Sequence, residues 1–108
     1  MSLIEEAAQH LVEARRAQRP GERIPETCRP GDIETALAIQ VRVTELLGEA
    51  VGGWKCGAPV PGKILRAPIY APLIHRGERC GITPKDGVAL IEPEIGRASC
   101  RERVYACV

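Results

Sequence analysis

The sequence predicts an α+β chain, with an N-terminal pair of helices leading into short strands. Two observations carry this prediction. Apolar residues recur at helical spacing in two stretches before residue 50, and beyond Gly52 that periodicity gives way to short apolar runs broken by proline and glycine. At 108 residues, 44% hydrophobic and 27% charged, the composition is that of a soluble globular chain: one domain or a piece of one. With no Phe, one Trp and two Tyr, the core has to be assembled from Ala, Val, Ile and Leu.

The first helix is expected over Leu3 to Ala17. Ser2 followed by Glu5 fits a capping box, and Leu3, Ile4, Ala7, Ala8, Leu11 and Ala14 then fall on one side of a helix. Arg19, Pro20 and Gly21 oppose its continuation, and a loop runs to Pro30. Asp32 is a suitable cap for a second helix, in which Ile33, Leu37, Val41, Thr44 and Leu47 are expected to share the apolar face, with Gln40 beside them. Gly48, or the pair Gly52 and Gly53, closes it. Strands are expected at Trp54 to Cys56, Ile69 to Ile74 and Val88 to Glu92, with Ala58 to Pro68 an irregular connection; Pro72 makes the middle run an edge or bulged strand.

The charge balance excludes some functions. A formal net charge of +1, with acids and bases spread along the chain, provides no field for nucleic acid or anionic lipid. No apolar run approaches the roughly 20 residues needed to span a bilayer. The amphipathic, acid-bearing N-terminus is unlike a secretory signal, so a cytoplasmic location is expected. Cys28, Cys56, Cys80, Cys100 and Cys107 are odd in number and form no C-x-x-C pair, which signals reduced thiols, without a disulfide framework or a zinc site.

Chemistry concentrates in two places. In Ile91, Glu92, Pro93, Glu94 an extended backbone projects both carboxylates from one face, where a hard divalent cation such as Mg²⁺ would relieve their repulsion. Pro93 lacks an N–H and favours an edge or rim position. On spacing alone, a solvated pair of surface glutamates is the commoner arrangement. Lys55, within Gly53, Trp54, Lys55, Cys56, Gly57, alternates with Trp54 and Cys56 and faces away from them. It is a candidate for proton transfer beside a cation, although an exposed strand lysine is commoner. His10, His75 and Gln40 are expected to serve surface, packing or local hydrogen-bonding roles.

Taken together, "AAQHLVEARRA", "ALAIQVRVTELLG", "GGWKCGAP", "RAPIYAPLI" and "VALIEPEI", in that order and spacing, resemble the fumarylacetoacetate hydrolase family. The branch resembled is that of the 2-keto-4-pentenoate hydratases and 2-oxo-hexenedioate decarboxylases. The resemblance implies a helical region over 1–50 and, over 51–95, the first strands of an incomplete mixed β-roll, the family's catalytic domain. It implies Glu92 and Glu94 as the first two ligands of Mg²⁺ or Mn²⁺, and Lys55 as the active-site lysine. It also implies a 2-oxo or 2-hydroxydienoic acid substrate from aromatic-compound breakdown and a homo-oligomeric full-length parent. The implied reaction is addition of water across the distal double bond, with decarboxylation of a 2-oxo diacid as the sister possibility. A non-catalytic helical module binding a protein partner is the alternative of a different class.

The chain departs from that family after Ile95, where "GRASCRERVYACV" shows neither strand alternation nor a helical stripe. The stretch "EIGRASCRERV" resembles the translation of a common short-read sequencing adaptor. That implies an artefactual tail over 96–108, with Ile95 foreign as well and Glu94 at the junction. Truncation there would remove the third metal ligand and most of the pocket, so the chain alone is expected to have little activity.

Overall fold

The computed structural model describes residues 1–18, 21–82, 84 and 86–89. It shows two helices followed by a two-stranded antiparallel sheet, an α+β arrangement divided into two units, Met1–Glu49 and Ala50–Val108.

In the first unit, helix α1 spans Leu3–Arg16 and helix α2 spans Ile33–Leu47. Local chemistry sets most of their ends. Ser2 Oγ accepts from the Glu5 N–H at 3.2 Å, and Asp32 Oδ1 accepts from the Thr35 N–H at 2.7 Å, each satisfying one of the donors that a helix start leaves open. At the end of α2, Gly48 takes a left-handed φ of 66° and donates its N–H to Thr44 O. Helix α1 ends as expected at Ala17, which caps it, and Gln18 turns the chain out with φ 51° ahead of Arg19. The loop between the helices holds a short 3₁₀ turn, Glu26–Cys28.

Ala7, Ala8 and Val12 from α1 pack with Cys28, Ile39 and Val43, and Ile4, Leu11, Ile24, Leu46 and Leu47 close around them. The two fully buried alanines on α1 leave little side chain between the helices, which permits close approach. The face of α2 differs from the one expected. Ile39 and Val43 are buried, whereas Val41 is 58% exposed and Ile33 and Leu37 stand outside this cluster. Helix α2 is apolar along two neighbouring rows, so periodicity alone does not choose between them; packing against α1 does.

Glu5 also departs from the reciprocal capping box. Its carboxylate accepts from Arg42 Nε at 2.6 Å and Nη2 at 3.2 Å, and from Gln9 Nε2 at 3.0 Å. A charge-assisted pair between helices replaces a return bond to the Ser2 backbone, tying the start of α1 to α2.

In the second unit, β1 (Val51–Val60) and β2 (Lys63–Tyr70) form an antiparallel hairpin. The expected strand Trp54 to Cys56 is the middle of β1, while the expected irregular connection Ala58 to Pro68 is instead the end of β1, a turn and most of β2. Pro61 and Gly62, the latter at φ 79°, occupy the two corner positions of the turn with the residue types a type II turn takes. That turn has the wrong twist for a regular hairpin, and the register shifts between Gly57 and Val60 beside it. The expected middle run, Ile69 to Ile74, divides: Ile69 and Tyr70 finish β2, and Ala71–Leu73, holding Pro72, form a 3₁₀ turn. Pro72 therefore ends the strand rather than bulging it. Of the expected Val88 to Glu92 strand, Val88 makes a single bridge, and Leu90 to Glu92 lie outside the described residues. Tyr70, 2% exposed, is the buried anchor of the hairpin.

Candidate functional site

The site is built on the central ladder of the hairpin. From Gly53↔Ile69 through Lys55↔Ala67 to Gly57↔Leu65 the register is unbroken, so strand alternation sorts the side chains onto two faces. Lys55 shares its face with Gly53, Gly57, Leu65, Ala67 and Ile69. Trp54, Cys56, Arg66 and Pro68 occupy the other. Lys55 thus faces away from Trp54 and Cys56, as its place in the sequence predicts, and it is exposed.

The opposite face carries a cation–π pair, with the Arg66 guanidinium carbon 5.2 Å from the Trp54 ring centroid. Cys56 stands directly across from Arg66. Nothing in the sequence alone joins Trp54 to Arg66, twelve residues apart; only the pairing register of β1 with β2 makes them diagonal neighbours.

Glu92 and Glu94, the expected metal ligands, lie outside the described residues, as do Pro93 and the whole of 95–108. Among the described residues, no group of three or more His, Cys, Asp or Glu side chains is placed to hold a metal ion. His10 has a structural partner, its Nε2 lying 2.9 Å from Glu22 O, and His75 is exposed. Gln40 contributes its backbone carbonyl, which accepts from Thr44 Oγ1 at 3.0 Å. Cys28 and Cys56 are free thiols; Cys28 is buried and directs Sγ at Pro25 O, 3.6 Å away.

Two carboxyls in the helical unit are held below their ordinary values. For Glu5 the chief cause is hydrogen bonding from Arg42, and for Asp32 it is the backbone N–H of Thr35. Both serve helix packing and capping. No helix among the described residues is long and apolar enough to cross a membrane. The chain matches no protein-family model, no curated protein and no solved structure.

Proposed function

We propose that the chain is the leading part of a divalent-metal-dependent hydratase acting on a 2-oxo or 2-hydroxydienoic acid of the 2-oxopent-4-enoate type. The observation that carries this reading is the ordered set of segments ending in "GGWKCGAP" and "VALIEPEI", which resembles the fumarylacetoacetate hydrolase family. Its finer fold assignment, a mixed β-roll continuing from the β1–β2 hairpin, belongs to the same proposal. In it, Lys55 holds the substrate carboxylate or moves a proton, and Glu92 and Glu94 hold Mg²⁺ or Mn²⁺. The bound ion would supply Lewis-acid polarisation of the 2-oxo group. Decarboxylation of a 2-oxo diacid by the same residues is the sister reaction.

The test uses the chain extended by its natural downstream sequence, assayed with Mg²⁺ or Mn²⁺ for hydration of 2-oxopent-4-enoate. Glu92→Ala is expected to abolish turnover, and Lys55→Ala to lower kcat/KM by about 10²–10⁴. Metal-independent turnover, or full activity in both variants, would refute the proposal. The alternative of a different class, a non-catalytic helical interaction module, would use the exposed side of α2 that carries Val41. It requires a protein partner whose binding Val41→Asp removes and chelators leave intact.

A further inference from the structure

We draw no further inference here: the strongest candidate, the apolar row of helix α2 that carries Ile33, Leu37 and Val41 outside the buried cluster of the helical unit, is a surface patch for which nothing in the structure shows what covers it.

Discussion

Replacing Ile39 and Val41 separately by alanine distinguishes the packing seen here from the one that periodicity suggests. Ile39 is 3% exposed and packed in the core with Ala7, Ala8 and Val12, so Ile39→Ala leaves a cavity and should cost about 2–5 kcal/mol. A unit this small rarely has more than about 3–5 kcal/mol of stability, so the change should remove much or all of its helicity without denaturant. Full burial of a valine contributes about 1.5–3 kcal/mol, and Val41, 58% exposed, realises less than half of that. Alanine returns up to about 0.7 kcal/mol through its better helix propensity, leaving Val41→Ala within about 0.5 kcal/mol of the parent. The assay is urea unfolding followed by far-ultraviolet circular dichroism, with Ile39→Val as an intermediate case costing about 0.5–1.5 kcal/mol. A larger loss from Val41→Ala than from Ile39→Ala would show that the other face of α2 is the buried one.

Acidification should loosen the helical unit. Because the folded-state pKa of Glu5 and of Asp32 lies below the ordinary 4.5 and 3.8, their stabilisation is complete above those values and lost as pH falls through the lower folded ones. Glu5→Gln should flatten part of that acid limb in a pH series of urea midpoints, and an unchanged limb would refute the role of the Arg42 contact. Gly48→Ala should cost about 1–2 kcal/mol in the same unfolding assay, because the φ of 66° places a Cβ against the following carbonyl. At Gly52 a new Cβ would lie 2.6 Å from Ile74 Cδ1 and 3.2 Å from Ala71 Cα. Gly52→Val should therefore break the 2.8 Å bond from Ala71 N–H to Ala50 O, read as faster amide exchange at Ala71. Residue-resolved thiol labelling should modify exposed Cys56 early and buried Cys28 only as the helical unit opens; equal rates would contradict the core assignment.

What the sequence determined by itself is local. Both helices and their principal caps were legible because Ser2, Asp32 and Gly48 make their bonds within four residues, and the backbone near them has few alternatives. The change from helices to strands after Gly52 was legible for the same reason, since period and punctuation are properties of short windows. Tertiary structure decided what depends on partners distant in sequence. It selected the Ile39 and Val43 row of α2, because only contact with Ala7 and Ala8 distinguishes two apolar rows on one helix. It sent Glu5 to Arg42, thirty-seven residues away, instead of back to its own N-cap. It made a hairpin of a proline-rich stretch that reads as irregular, because the register was fixed by cross-strand pairing on either side of one Pro–Gly turn. Lys55 shows both contributions: its strand and outward alternation follow from its neighbours in sequence, while its place opposite Ala67, between Leu65 and Ile69, exists only once β2 is laid alongside.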